Sequence, residues 1–242
     1  MNKPNNIVLI DFPFEVDAAE LIKSARVPEG GDDEEEFRTL FRRAMDVARP
    51  KALYRPCYVE KKAGKNVRIN GVDFRSHALR RNLDEVERVF AYVASCGREI
   101  NCVKLNAQNL LHDFWLDTIK GALLDCSIQA LHKDIEQRYG IGQNSTMNPG
   151  ASDATIWPIE QQEQLFELLD DVEGSIGVEL TDSHLMVPNK SISGILFPTE
   201  IDFRNCQLCR RENCPSRSAP FEPEMWETLQ RERGKGGKER KS

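Results

Sequence analysis

Leu180-Thr-Asp-Ser-His-Leu-Met-Val-Pro-Asn-Lys-Ser-Ile-Ser-Gly194, running on into Ile195-Leu-Phe197, is the stretch from which this chain is best read. Gly177-Val-Glu-Leu-Thr181 and Gly194-Ile-Leu-Phe197, at its two ends, have the short apolar make-up of strands. Upstream, Pro158 sits near the start of a helix over 160–169. Before that, 145–155 is rich in small and polar residues and reads as a loop. The longest helical pattern spans 105–139, as one helix or two, and Gly140, Gly142 and Asn144 end it. Val89 to Ser95 reads as a buried strand ending at Cys96-Gly97. Asn82 with Glu85 resembles a capping box opening a short helix. Two strands are expected over 52–60 and 66–74, joined by Lys61-Lys-Ala-Gly-Lys65. Phe37, Leu40, Phe41, Ala44, Met45 and Ala48 recur at helical spacing until Pro50 stops that helix. Ile7 to Ile10 is a short strand, and a last helix is expected over 223–231. Strands and helices mix without a regular βαβ alternation, which predicts an α+β class.

The chain of 242 residues can bury a sizeable core. Its net charge of −6 argues against a nucleic-acid partner. No run approaches the roughly 20 apolar residues that span a bilayer. The first residues lack the apolar core of a secretory signal, so a cytoplasmic location without a membrane partner is expected. Asp32 to Glu36 is an acidic run suited to the first turn of a helix. The basic stretch 231–241 reads as a solvated tail. The segments expected are 1–80, an N-terminal α+β part; 81–200, the core; 201–222, a cysteine loop; and 223–242, a short helix and tail.

Cys206-Gln-Leu-Cys209-Arg-Arg-Glu-Asn-Cys214-Pro215 carries the strongest chemical signal. Thiolates held this close repel one another unless a cation or cluster shares their charge. Seven cysteines, an odd number, argue against a disulfide framework. An iron–sulfur cluster, of 4Fe–4S type, is the filling expected, since such clusters take cysteine thiolates and a Cys-Pro step recurs in ferredoxin runs. A zinc knuckle wanting a fourth Cys or His, and a reduced loop without metal, are the alternatives. Arg210, Arg211 and Arg217 offer charge to offset a cluster. Spacing does not give the fourth ligand. Cys96, where Gly97 lets the backbone turn, is the first candidate; Cys57 and Cys126 compete, and Cys102 reads as core. His77, His112 and His132 are isolated in sequence and read as surface or core.

The segment Leu180 to Gly194 resembles the activation, S-adenosylmethionine-binding domain of cobalamin-dependent methionine synthase. The shared features are a Leu-Thr-Asp-Ser stretch, Met186-Val-Pro188 and Ser191-Ile-Ser-Gly194. Pro149-Gly150 and Leu165-Phe-Glu-Leu-Leu169 fit the same order, and the similarity covers 147–197. Asn82 to Glu99, with Arg88-Val-Phe-Ala-Tyr-Val-Ala-Ser-Cys-Gly-Arg-Glu99, resembles stand-alone members of that family. The resemblance implies a twisted, bent antiparallel sheet flanked by helices. It also implies a role in returning inert cob(II)alamin to cob(I)alamin, with the cobalamin or corrinoid held by a partner methyltransferase and electrons drawn from a low-potential donor. Asn148, Pro149 and Gly150 would then line any small-ligand pocket.

Two departures qualify that picture. Thr146 and Ala151 stand where the family has the arginine and tyrosine of its ligand loop, so the charge-assisted pair for the ligand carboxylate is gone and S-adenosylmethionine binding is doubtful. After Phe197 the family's closing stretch is replaced by the cysteine segment. Asp182-Ser-His184 lacks the glycine of a corrinoid-binding motif, with Val187 in its place. The sequence thus predicts an iron–sulfur accessory protein for reductive activation of a corrinoid methyltransferase. A subunit binding S-adenosylmethionine in a short methionine synthase, and a structural zinc module, are the other readings.

Overall fold

The computed structural model describes residues 6–104, 109–151, 156–200, 203–214 and 217–235. In chain order the elements are β1 (Ile7–Leu9), α1 (Ala18–Ser24), α2 (Asp32–Val47), β2 (Lys51–Ala63), β3 (Asn66–Ile69), β4 (Val72–Arg75), α3 (His77–Asn82), β5 (Arg88–Ser95) and α4 (Leu110–Tyr139). They continue with β6 (Asn144–Met147), α5 (Gln162–Leu169), α6 (Val172–Ile176), β7 (Glu179–Leu180), β8 (Met186–Val187), β9 (Ser191–Pro198) and α7 (Pro223–Lys235). The main sheet runs β4-β3-β2-β5-β9-β6, with β1 added to β2, and every pairing is antiparallel. The α+β architecture expected from the sequence is the one observed. Strands from 1–80 and 81–200 pair side by side, β2 with β5, in one sheet.

Period-two alternation divides the sheet into two buried faces. Leu53, Val89, Ala91, Val93, Ile195 and Phe197 pack towards α5, α6 and Trp157. Tyr54, Phe90, Tyr92, Ala94 and Leu196 face the second half of α4 through Leu131 and Ile135. The central strand β5 is therefore buried on both sides from Val89 to Ser95. Each such large apolar side chain adds about 1.5–3 kcal/mol on burial. The first half of α4 packs Trp115, Leu116, Ile119 and Leu123 against α1 and α2 in a separate cluster that includes Cys96. Gly140, at φ +61, ends α4 in the left-handed conformation that glycine tolerates. No helix among the described residues is long and apolar enough to cross a membrane.

Local expectations needed correction. The stretch 66–74 is not one strand but the hairpin β3–β4, turned at Asn70 and Gly71, both at positive φ. Such pairs favour a tight hairpin turn whose twist matches its strands. Asn82 closes a helix rather than opening one: Ser76 is the cap of α3, its hydroxyl accepting from the Leu79 amide at 3.0 Å. Residues 145–147, read as the start of a loop, belong with Asn144 to the edge strand β6. Of the long helical pattern, 105–108 lie outside the described residues, as do 152–155 of the loop and 236–242 of the basic tail.

Candidate functional site

Two cavities meet at one asparagine. Asn148 follows β6 directly, and its side chain is buried under the sheet. Its amide nitrogen donates to the Tyr92 hydroxyl at 2.7 Å and to the Ser193 carbonyl at 2.8 Å. Its amide oxygen accepts from the Asn205 amide at 2.9 Å. The Ser193 hydroxyl donates to Gln162, whose own amide donates to the His184 carbonyl. A continuous hydrogen-bonded line thus joins the cysteine loop, through Asn205, to the Asp182-Ser-His184 turn. Burial pushes the Tyr92 hydroxyl up to about 12, so it stays neutral inside this network. Gly194 explains its place in the Ser-Ile-Ser-Gly run: a Cβ there would lie 2.4 Å from the Asn148 amide nitrogen and 2.5 Å from the Met147 carbonyl oxygen.

On one side of Asn148 lies a cavity of about 520 Å³ that Pro149, Gly150, Ala151 and 183–187 help to line. The three residues expected at a ligand pocket, Asn148, Pro149 and Gly150, are brought together here. Gly150 is at φ +74, its amide donates to the Trp157 carbonyl at 2.9 Å, and an added Cβ would press on Ile159 at 3.1 Å. No Lys, Arg, Asp or Glu is among the described residues lining this cavity. A ligand carboxylate would find no guanidinium or ammonium partner in that lining.

On the other side lies a cavity of about 790 Å³ whose wall includes Cys206, Cys209 and Cys214. The segment bearing them is held against β6 by the Phe203 amide on the Ser145 hydroxyl and by Asn205 on the Thr146 carbonyl. Cys206 stands in a single 3-10 turn, Asn205–Leu208, whose Leu208 is buried with Phe203 and with Leu229 of α7. Arg217 reaches back over the loop. Its guanidinium donates to the carbonyls of Cys206, Cys209 and Ala219, each at 3.2 Å, and to that of Arg211. Arg210 lies over the Trp226 ring, 4.6 Å from its centroid. Partial burial raises the Cys206 thiol, but donation from the Ser218 hydroxyl and amide, the Ala219 amide and the Arg217 charge outweigh it, leaving the thiol below its ordinary value. Cys206, Cys209 and Cys214 are only partly buried.

Cys96 is not brought to this cavity. It is fully buried with Phe37 and Trp115, and burial pushes its thiol up to about 11. Ser95 pairs with Ser191 while Phe90 pairs with Leu196, beside which the cysteine loop attaches to β6. Six residues of strand, roughly 20 Å, separate the two ends. Cys57 is buried in the core of the sheet. The Cys126 thiol contacts the Glu15 carbonyl and that of Cys102 the Glu99 carbonyl. One residue that the sequence reads as surface or core stands in the cavity wall: His132 of α4, accompanied by Glu136. Nothing local marks it, because it is the return of α4 across the sheet that brings it there. Among the described residues, no three of His, Cys, Asp or Glu meet as a metal-binding group.

In fold and segment order the chain resembles an activation domain. Residues 145–214 match the family model described as the vitamin B12 dependent methionine synthase activation domain. The chain also shares its fold with the crystal structure of the MetH reactivation domain bound to AdoHcy, at a TM-score of 0.55 and 14% identity, over 84% of this chain and 81% of that one. No curated protein sequence matches the chain.

Proposed function

We propose that this chain is an accessory protein for the reductive reactivation of a corrinoid-dependent methyl-transfer partner, and that Cys206, Cys209 and Cys214 hold an iron–sulfur cluster in it. The reading is supported by the sequence match over 145–214, which contains both the Asn148–Gly150 turn and the three cysteines. The observation that carries it is the sharing of one cavity wall by the three thiols, beside a turn that matches the family. Arg217 fixes the loop by its carbonyls, while Arg210 and Arg217 bring positive charge to a site that would carry negative charge. Cluster binding requires the 206–214 segment to draw its thiols together.

When bound, a 4Fe–4S group supplies one-electron chemistry that reaches strongly reducing potentials, the kind needed to return a partner's cob(II)alamin to cob(I)alamin. The chain's own part is to hold that group at the surface, next to the sheet edge, and to couple its loop through Asn205 to Asn148. The test is anaerobic purification. Brown protein with iron and acid-labile sulfide supports the reading. A colourless protein with stoichiometric zinc makes the loop a structural zinc module, and a protein with no metal removes the redox role.

One observation favours a second reading. The cavity of about 520 Å³ beside Gly150 is of a size that admits a small ligand, and S-adenosylmethionine is the ligand the family resemblance suggests. Thr146 and Ala151, and a lining without Lys or Arg, weigh against it. Calorimetry decides: absence of binding heat leaves the redox reading, and saturable binding makes the chain a subunit that presents a methyl donor.

A further inference from the structure

Cys206 and Cys209 are held by one turn. The Cys209 amide donates to the Cys206 carbonyl at 3.1 Å and closes the 3-10 turn Asn205–Leu208. Such a turn rises about 2 Å per residue, so the two Cα atoms stand roughly 6 Å apart. A disulfide spans about 4.4–6.8 Å between Cα atoms, and this separation lies within its reach. Side chains three positions apart in a 3-10 turn eclipse one another, which directs both thiols to one side. Both line the cavity of about 790 Å³, and both are only partly buried, so a reagent can meet them there.

Several contacts keep the turn closed. Leu208, between the two cysteines, is anchored in the core with Phe203 and Leu229. The Gln207 amide donates to the Arg204 carbonyl at 2.9 Å, and the Gln207 side chain accepts from the Arg204 amide at 2.8 Å. One guanidinium, that of Arg217, donates to the Cys206 and Cys209 carbonyls together, each at 3.2 Å, and clasps the pair across its two ends. The Ser218 amide and hydroxyl approach the Cys206 sulfur at 3.5 and 3.4 Å. A sulfur supported in this way is a good leaving group in exchange with another thiol.

We propose that Cys206 and Cys209 form a thiol–disulfide exchange site, closed by their shared turn and reacting with small-molecule disulfides that enter the cavity. The Cys206 sulfur attacks one sulfur of the incoming disulfide and expels the other as a thiolate. The Cys209 sulfur then attacks the Cys206 sulfur, closes the Cys206–Cys209 bond and expels the second thiolate. The protein dithiol gives up two electrons and two protons, and the small disulfide leaves as two thiols. The pair stands on the turn alone. Its consequence for metal rests on the cluster reading above: a closed bond withdraws two of the three thiols, so metal and disulfide exclude each other, and the loop can be loaded only when its surroundings are reducing.

The experiment uses the full chain, as purified anaerobically and after chelation of any metal, in wild-type, Cys209→Ser and Cys214→Ser forms. Each is equilibrated in buffers graded from reduced to oxidised glutathione, quenched with iodoacetamide and cut with trypsin. Cleavage after Arg204, Arg210, Arg211 and Arg217 puts Cys206 and Cys209 in one peptide, 205–210, and Cys214 in another, 212–217. In the chelated wild type, peptide 205–210 becomes two hydrogens lighter than its dithiol and takes up no iodoacetamide. Cys214→Ser behaves in the same way, whereas Cys209→Ser stops with one glutathione on Cys206. The folded chain closes the bond in a buffer about tenfold more reducing than the same chain needs in urea. A bond to Cys214, two glutathiones on 205–210, or equal behaviour in urea overturns the proposal. Iron is counted in every sample. A chain that never holds iron yet closes the bond overturns the cluster reading and leaves the exchange site standing. A chain that holds iron but, once chelated, fails to close the bond overturns the exchange site and leaves the cluster.

Discussion

The two cavities on either side of Asn148 are neighbours with opposite chemistry. The one beside Gly150 is lined by polar and apolar groups with no Lys, Arg, Asp or Glu among the described residues, and its one titratable side chain there is His184. The one beside Cys206 gathers three thiols, two arginines, a histidine and a glutamate. Asn148 serves both, and its hydrogen bonds to Tyr92, Ser193 and Asn205 keep the wall between them in one position. The first cavity has no Lys, Arg, Asp or Glu among its described lining residues, and the second has three thiols. The contrast teaches that one frame, here the β9–β6 edge and its glycine, can carry two neighbouring cavities of different chemistry.

The sharpest way to break the contrast is to remove its chemistry. Cys209→Ser should abolish metal incorporation, seen as loss of iron and sulfide in anaerobic preparations, while the far-ultraviolet dichroism stays unchanged. Retention of full iron content would move the ligand set elsewhere. Next in size is the shared wall. Gly194→Ala places a Cβ against backbone and the Asn148 amide, where the Met147 carbonyl cannot yield cheaply. It should cost about 3 kcal/mol in chemical denaturation, at the upper end for overpacking. A cost below about 1 kcal/mol would mean that the wall is softer than its contacts imply.

Smaller effects probe how the loop is held. Arg217→Lys keeps the charge but cannot reach the several carbonyls that the guanidinium fork spans. Metal occupancy should fall several-fold while the melting temperature moves little; an unchanged occupancy would show that the charge alone suffices. The smallest effect is on Cys206. In protein stripped of metal, its alkylation should reach its plateau at lower pH than that of an ordinary thiol, because the thiolate is favoured once Ser218 and Arg217 outweigh burial. Ser218→Ala should move that midpoint upward. A midpoint that stays in place assigns the effect to Arg217 and the Ala219 amide.

Much of the frame was legible because the apolar spacing was strong. The buried run 89–95, the helical pattern 34–48 and the Gly140 stop each carry a signal that local chemistry fixes. The edge strand β6 was not, since Asn144-Ser-Thr-Met147 has only one apolar side chain and is a strand by virtue of its backbone pairing with β9. The 66–74 stretch concealed a hairpin because the reading followed its alternation and passed over Asn70-Gly71. At the site, the three cysteines were legible from density alone, and Asn148, Pro149 and Gly150 from their resemblance. Cys96 was chosen for its glycine neighbour, but a position at a strand end does not say which end of the sheet it faces. His132 was read as surface or core for the converse reason: its placement in the cavity wall depends on where α4 crosses, a long-range property that no local spacing records.

The most direct measurement is Mössbauer spectroscopy of anaerobically isolated protein, wild type beside Cys206→Ser. Iron–sulfur signals in the wild type that vanish in the variant are the outcome expected from thiols sharing one cavity. A wild type free of iron, or a signal that survives in Cys206→Ser, would contradict it.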